Sequence, residues 1–223
     1  MNNLTGLNLS GLSNLTYLDC SNNLISGLNF TNCFNITGLY IQNNDLSGDF
    51  NLSQFLNISG VNISNNEFTG VIASGLSNLS YLYASGNDIS GINLSGSINI
   101  SGLNLSENKL SGNLDLTKFK NLREVNVSGN NLTGINITGL NKLETFIASN
   151  NLITGVVNFL GVSGVKNVLI QNNLITGMVN FNDMTGILSF NSSGNIISNY
   201  GPIVLWATGR YGIFAVSSGI FTF

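Results

Sequence analysis

The pattern that decides the fold is seen in residues 121–134, Asn-Leu-Arg-Glu-Val-Asn-Val-Ser-Gly-Asn-Asn-Leu-Thr-Gly. Apolar residues stand at Leu122, Val125 and Val127, and Leu132 follows two residues after Asn130. This pattern, LxxLxLxxNxL, returns every 21 or 22 residues, which is the signature of a repeat architecture. Its asparagine marks nine units: Asn23, Asn44, Asn66, Asn87, Asn108, Asn130, Asn151, Asn173 and Asn195.

The spacing within each unit predicts a mainly β solenoid of about nine coils with few or no α-helices. A single unit cannot bury its apolar side alone, but stacked units share one core. Each coil has two short parallel strands, one at LxL and one after the Thr/Ser-Gly pair. The 22-residue coils place an extra residue after that glycine, as a bulge or longer turn, at Asp49, Asn113, Val156 and Met178. An asparagine in the ladder column can bond both its own turn and the stacked coil.

These motifs resemble those of leucine-rich-repeat proteins, and the Thr/Ser-Gly pairs resemble the plant-type subclass in particular. The resemblance covers about residues 4–198, although the period is shorter and the Ile-Pro step after the glycine is absent. It implies a right-handed solenoid whose LxL strands line a concave face. It also implies binding of other macromolecules by a protein that is not generally catalytic.

The repeat pattern predicts two regions, a solenoid over residues 1–199 and a C-terminal β cap or docking segment over residues 200–223. Three short apolar runs follow the last repeat: 203–207, which contains Trp206, then 213–216 and 220–223. At the other end the chain begins inside a coil, so we expect an open edge near Leu4. That edge is interpreted as a truncation, as a short self-cap, or as a surface that stacks on a partner or another copy.

Composition excludes several classes of function. The 223 residues include no histidine and two cysteines, which removes Ser-His-Asp catalysis and most transition-metal sites. The net charge is −3 and the pI is about 4.6, which argues against nucleic acid as a partner. No run reaches about 18 apolar residues, and no signal peptide is visible. We therefore expect no enzyme activity, no cofactor, no nucleic-acid partner and no membrane span.

The outward positions of the LxL strands are the candidate ligand-binding surface. Tyrosine offers large amphipathic contact area suited to protein or sugar partners. The candidate residues are Tyr17, Tyr40, Tyr81, Tyr83, Ile147 and Leu169. The alternative is that they are scattered surface residues, which are normal on soluble proteins.

Two further groups of residues are candidate sites. Asp45, Glu67 and Asp88 share one column, so a cation could bridge them, although three solvated turn carboxylates explain them as well. Cys20 and Cys33 replace core residues and are expected to be buried thiols, with their bonding state left open.

A second repeated motif is Asn-apolar-Ser/Thr, as at residues 29–31, 51–53, 93–95 and 136–138. It is formally an N-glycosylation acceptor. A flat ladder of these side chains could instead face ice or polysaccharide, or be a solvated sheet face.

Charge is uneven along the chain. Residues 1–108 hold six acids and no base, whereas residues 109–223 hold seven bases and four acids. Such asymmetry favours head-to-tail association, although ordinary solubility also accounts for it.

Together these features favour a non-enzymatic recognition, adhesion or assembly protein that binds a protein or carbohydrate surface. We expect display on a virion, as a phage fibre or decoration protein, or on another extracellular surface. Self-association through the open first coil or the aromatic C-terminal segment is a further expectation. The alternatives are a secreted adhesin or receptor-like domain, and a binder of ice or polysaccharide surfaces.

Overall fold

A computed structural model describes residues 2–180, 184–200, 213–216 and 219–222. The chain divides into two compact units, Met1–Lys109 and Leu110–Phe223. Each unit is a stack of coils with two short strands per coil, and none of the described residues lies in an α-helix. The predicted mainly β solenoid is confirmed.

The strands of the first unit follow the chain as β1 (Leu7–Asn8), β2 (Tyr17–Asp19), β3 (Leu28–Asn29), β4 (Gly38–Tyr40), β5 (Ser47–Asn51), β6 (Gly60–Asn62), β7 (Glu67–Ile72), β8 (Tyr81–Tyr83), β9 (Gly91–Asn93) and β10 (Gly102–Asn104). The even-numbered strands are the LxL segments and pair in parallel as the front sheet. The odd-numbered strands pair in parallel as the back strands: β1 pairs with β3, β5 with β7, and β7 with β9.

The second unit continues with β11 (Ser111–Asp115), β12 (Glu124–Asn126), β13 (Asn131–Asn136), β14 (Thr145–Ile147), β15 (Thr154–Asn158), β16 (Asn167–Leu169), β17 (Leu174–Val179), β18 (Ser189–Asn191), β19 (Asn199–Tyr200), β20 (Ile213–Val216) and β21 (Gly219–Thr222). Its front sheet runs from β12 through β14, β16 and β18 to β20, all parallel, and β21 returns antiparallel to β20. Back strands β11 and β13 form one pair, and β15, β17 and β19 form another sheet.

The predicted boundary between residues 199 and 200 stays a prediction. Strand β19 includes both residues and pairs with β17, while β20 pairs with β18. The expected strand at 203–207 and Trp206 lie outside the described residues.

The core of each unit is built from the apolar columns read in the sequence. In the front sheet the central residue of each strand points inward: Leu39, Val61 and Leu82 are fully or almost fully buried in the first unit. Val125, Phe146 and Val168 are fully buried in the second. Burying such a side chain contributes about 1.5–3 kcal/mol. Since the side chains of a strand alternate, the residues on either side of each core residue face outward.

Bulges absorb the extra residue of three of the four 22-residue coils. The strand register shifts after Gly48, Gly112 and Gly155, and each of these glycines has a positive φ of 71° to 81°. A glycine in the left-handed region is the mark of a G1 bulge. The prediction is therefore met at Asp49, Asn113 and Val156.

The prediction for the fourth coil was wrong. Met178 is only 1% exposed, and Gly177 before it is not among the glycines of positive φ. Because there is no bulge after Gly177, the alternation of side chains along the strand points Met178 inward. Met178 thus takes the position that the residue directly after the glycine has in the 21-residue coils, namely residues 71, 92 and 135.

Candidate functional site

The outward face of the front sheet in the first unit carries one column of tyrosine and glycine. Strand register aligns Tyr17 with Gly38, Gly38 with Gly60, Gly60 with Tyr81, and Tyr81 with Gly102. Neighbouring strands lie about 4.8 Å apart. A bulky ring therefore has a residue without a side chain beside it on the next strand.

The tyrosine rings lie over these glycines. A Cβ added to Gly38 would lie 3.0 Å from Tyr17 Cδ2, and one added to Gly102 would lie 2.7 Å from Tyr81 Cδ1. A Cβ on Gly60 would lie 3.3 Å from the hydroxyl of Tyr40. The rings thus lean across to the next strand. We call Tyr17, Tyr40, Tyr81 and Tyr83, with the glycines beneath them, the tyrosine platform.

Within the platform the rings form two pairs. The centroids of Tyr17 and Tyr40 are 5.3 Å apart with 35° between the ring planes. Those of Tyr81 and Tyr83 are 6.2 Å apart at 56°. Tyr17 is 57% exposed and Tyr81 48%, whereas Tyr40 and Tyr83 are partly buried. The structure therefore brings the four predicted tyrosines together as two aromatic pairs separated by strand β6.

Amides stand beside the rings in the next column. Asn62 aligns with Tyr40 on one side and Tyr83 on the other, and Asn104 aligns with Tyr83. The Oδ1 of Asn62 accepts the Ser64 N–H, and that of Asn104 accepts the Ser106 N–H. With these acceptors occupied, the amide NH₂ groups remain as donors. Aromatic faces beside amide donors suit a sugar or a peptide backbone.

The other two predicted binding residues lie in the second unit. Ile147 on β14 aligns with Leu169 on β16. Both side chains are partly buried, although outward positions were expected to be exposed. Asn126 and Asn191 flank the pair in register. The pair is a smaller apolar patch than the platform, and it belongs to a separate unit.

The repeated asparagines are buried at the turn after each front strand. Asn66 Nδ2 donates to Ile63 O in its own turn and to Ile41 O one coil earlier, while its Oδ1 accepts the Leu46 N–H. Asn151 does the same with Ala148, Val127 and Leu132 in the second unit. Each such amide ties two coils together through the backbone, which is a structural role.

A second amide ladder, which lies in the column directly before the buried asparagines, was not predicted from the sequence. Asn65 Nδ2 donates to Asn43 Oδ1, and Asn43 Nδ2 donates to Asn22 Oδ1. All three asparagines have φ between 55° and 58°, a left-handed conformation that asparagine tolerates better than most residues. The doubled asparagines, such as residues 22–23 and 43–44, are the signal that could have revealed it.

The three aligned carboxylates, Asp45, Glu67 and Asp88, are all exposed. Asp88 makes an ion pair with Lys109, with 2.8 Å between Oδ1 and Nζ. In the described ranges, no group of three or more His, Cys, Asp or Glu residues is placed to hold a metal ion. Asp45 is exposed in the loop before β5, and Glu67 is the exposed first residue of β7.

Both cysteines are buried and free. Burial is the main cause that raises the pKa of Cys20 to about 11, with the nearby Asp19 carboxylate adding to it. A thiol held in its neutral form is a poor nucleophile. These cysteines therefore act as small core residues.

The Asn-apolar-Ser/Thr motif ends strands with side-chain turns. Asn93 Oδ1 accepts both the N–H and the hydroxyl of Ser95, and Asn136 does the same for Thr138. Local bonding of this kind is what asparagine and serine favour at turns. The motif therefore has a structural explanation independent of glycosylation.

The comparisons with known proteins agree with this architecture. The sequence model of the Leucine Rich Repeat family matches residues 14–36, 54–79 and 121–143. The sequence matches no curated protein. The predicted resemblance to leucine-rich-repeat proteins is confirmed, because the family model matches three of the repeats.

Solved structures of similar fold include plant receptors. The plant peptide hormone receptor RGFR1 in complex with RGF2 is 25% identical, with a TM-score of 0.74 over 84% of this chain and 33% of that one. The Arabidopsis receptor kinase HAESA, in complex with the peptide hormone IDA and the co-receptor SERK1, is 25% identical with a TM-score of 0.73 over 86% and 35%. A plant ice-binding protein is 24% identical, with a TM-score of 0.60 over 77% and 59%. The chain thus spans about a third of the length of the receptors.

No helix in the described part of the chain is long and apolar enough to cross a bilayer.

Proposed function

We propose that this chain is a non-enzymatic recognition module that binds a macromolecule on the front sheet of its first unit. The observation that carries the proposal is the tyrosine platform, in which the exposed rings of Tyr17 and Tyr81 lie against glycines of the next strand, with amide donors in the neighbouring column. Aromatic residues dominate the energetics of binding surfaces. The leucine-rich-repeat fold is typical of binding domains, and the two plant receptors hold peptide hormones, which supports a protein or peptide partner ahead of a glycan.

The test is a comparison of binders selected from a random peptide display library and from a glycan array. We expect the variant Tyr17→Ala/Tyr81→Ala, which removes the two exposed rings, to lose about 30-fold or more in affinity for peptides selected on the wild type, because these rings supply the contact area. The matched control is Phe34→Ala/Leu56→Ala, which removes exposed apolar area from the turns, where Phe34 is 53% and Leu56 65% exposed. Binding that survives the tyrosine variant, or falls equally in the control, contradicts the proposal.

A finer variant leaves every tyrosine in place. Gly102→Ala would press its methyl group against the Tyr81 ring and displace it, while a β-strand tolerates alanine at ordinary φ. We expect weakened peptide binding at nearly unchanged thermal stability. Full binding by a stably folded Gly102→Ala protein would show that the ring position is irrelevant.

A second candidate function is binding to ordered surfaces such as ice through the back strands of the first unit. It is supported by the exposed Asn51, Asn93 and Ser95 of the Asn-apolar-Ser/Thr motif. Asn51 and Asn93 align through Ile72 on the strand between them, so they lie two strand spacings, or about 9.6 Å, apart. Ice-recrystallisation and thermal-hysteresis assays test it, with Ser95→Lys as the disrupting variant. An inactive wild-type protein dismisses this candidate.

We also propose that the protein is displayed outside the cell, on a virion or on a cell surface. The support is a surface rich in amides and hydroxyls together with a binding role. Immunogold labelling of intact cells and of purified particles from the source tests this placement. Label confined to the interior of permeabilised cells would contradict it.

A further inference from the structure

The cations of the second unit lie along one edge. Every described Lys or Arg of that unit is in the segments that lead from a back strand to the next front strand: Lys118, Lys120, Arg123, Lys142 and Lys166. These segments belong to three consecutive coils, and all five residues are exposed. We call these five residues the basic edge.

Contacts between coils make the basic edge continuous. Arg123 Nη1 lies 2.9 Å from Glu144 Oε1 one coil later, and Lys166 Nζ lies 2.5 Å from Glu144 Oε2 a further coil on. Lys142 Nζ donates to Asn121 Oδ1 of the preceding coil at 2.8 Å. Lys120 Nζ reaches Gly139 O of the following coil at 3.4 Å. The cationic groups are therefore held in a strip across three coils.

Few carboxylates neutralise this strip. Glu144 is shared by Arg123 and Lys166, and these two hydrogen bonds, that of Lys166 first, hold the pKa of its carboxyl below the ordinary value. Asp115 and Glu124 flank the edge at the ends of β11 and β12. In the part of the chain that the structure describes, Lys118, Lys120 and Lys142 form no ion pair within 4.0 Å of a carboxylate, although Asp115 interacts with Lys118 and Lys120 at longer range. Five cations thus outnumber three acids.

We propose that the basic edge binds an acidic polysaccharide, with carboxylates of successive sugar residues lying along the three coils. The repeat of about 4.8 Å between coils is close to the length of one sugar residue. Each of the three coils contributes at least one cation, so an extended polymer with one carboxylate per sugar can meet a cation on every coil. Double-stranded nucleic acid carries a charge every 1.7 Å or so, a density that this strip does not match in a chain of net charge −3.

The experiment measures binding of the full chain to polygalacturonate, to its methyl-esterified neutral form, and to a DNA oligonucleotide, over a series of salt concentrations. We expect polygalacturonate to bind at low salt, with an affinity that falls as salt rises, and the esterified polymer not to bind. The variant Lys118→Gln/Lys120→Gln/Lys142→Gln should lose about tenfold to a hundredfold in affinity.

The control separates local contacts from net charge. Ser26→Asp/Ser47→Asp/Ser90→Asp changes the net charge by the same three units through exposed residues of the first unit, and it should keep the affinity within about twofold. Circular dichroism and melting confirm that both variants fold. Equal losses in the two variants, binding of the esterified polymer, or tighter binding of DNA overturns the proposal. So does loss of low-salt self-association in the lysine variant, because the strip would then be an interface between copies.

Discussion

The column directly after each ladder asparagine differs between the two units. In the first unit four of its five residues are charged, and the column reads Leu24, Asp45, Glu67, Asp88 and Lys109. In the second unit it has no charge and reads Asn131, Leu152, Leu174 and Ile196, of which the last three are 45–61% exposed. The ladder asparagines one residue earlier are identical and buried in both. The difference teaches that columns bonded between coils are uniform, while columns that face solvent vary freely with the surface each unit displays.

The same division holds on the binding surfaces. The first unit has the tyrosine platform and most of the acids, and the second has the basic edge and the Ile147–Leu169 pair. A shared scaffold with different displays predicts that scaffold substitutions act equally in both units.

The largest effect is expected from the ladder. Asn66→Ala in the first unit and Asn151→Ala in the second each leave buried carbonyls and an N–H without partners, so each should lower the free energy of unfolding by about 3–5 kcal/mol. Urea denaturation measures the loss. The exposed Asn141→Ala serves as control at about 0.5 kcal/mol or less. Losses that differ by more than about 2 kcal/mol would mean that the scaffold is not shared.

A smaller effect is expected where glycine takes the place of an asparagine in the second ladder. Gly86 and Gly194 have φ of +64° and +68°, and a Cβ on either would collide with Oδ1 of Asn65 or Asn172. Alanine at either position should destabilise by about 2–3 kcal/mol, from left-handed strain plus the collision. Gly48→Ala has similar strain and open space around it, and should lose only about 1 kcal/mol in a thermal melt. If Gly48→Ala and Gly86→Ala lost similar stability, the collision with Asn65 would not contribute to the destabilisation.

A gain is expected at the one acidic member of that column. Glu107 has a φ of +53°, which is strained for a residue with a Cβ, and Gly129 holds the matching position in the second unit. Glu107→Gly should stabilise by up to about 1 kcal/mol, the strain relieved less the entropy that glycine adds to the unfolded chain. Glu107→Gln keeps the strain and removes the charge, so it should leave the melting temperature unchanged. A gain from glutamine would assign the effect to charge.

The smallest effect concerns pH. The pKa of Glu144 is lowered in the folded protein by Lys166 and Arg123, so its stabilisation is complete above the unfolded pKa of about 4.3 and is lost as pH falls through the folded value. The exposed pair of Asp88 and Lys109 in the first unit lacks this two-cation arrangement. Urea midpoints between neutral and acidic pH should therefore fall less steeply in Glu144→Gln than in the wild type, with Asp88→Asn as the comparison. If the urea midpoint of Glu144→Gln depended on pH as steeply as that of the wild type, the ion pairs of Glu144 would not contribute to the pH dependence of stability.

Most of the scaffold could be predicted because its signal is periodic. The ladder asparagines, the inward column through Leu39 and Val61, and three of the four insertion sites each follow from spacing alone. The site is less predictable: the pattern identifies Tyr17 and Tyr81 as outward residues, but it does not identify the glycines against which their rings lie. The role of Gly38 depends on a ring 21 residues away in the chain, and no local pattern reports such a contact.

What the sequence by itself determined is the repeat, its phase, and which residues face the core, because a strand has only two faces and burial selects one of them. The tertiary structure alone decided that Met178 turns inward and that Arg123, Glu144 and Lys166 join across three coils. It also decided that the tyrosines form two ring pairs that lie against glycines of the neighbouring strands. Side-chain direction and contacts between coils depend on neighbours that stacking brings together. The repeat period does not predict the conformation of a flexible side chain.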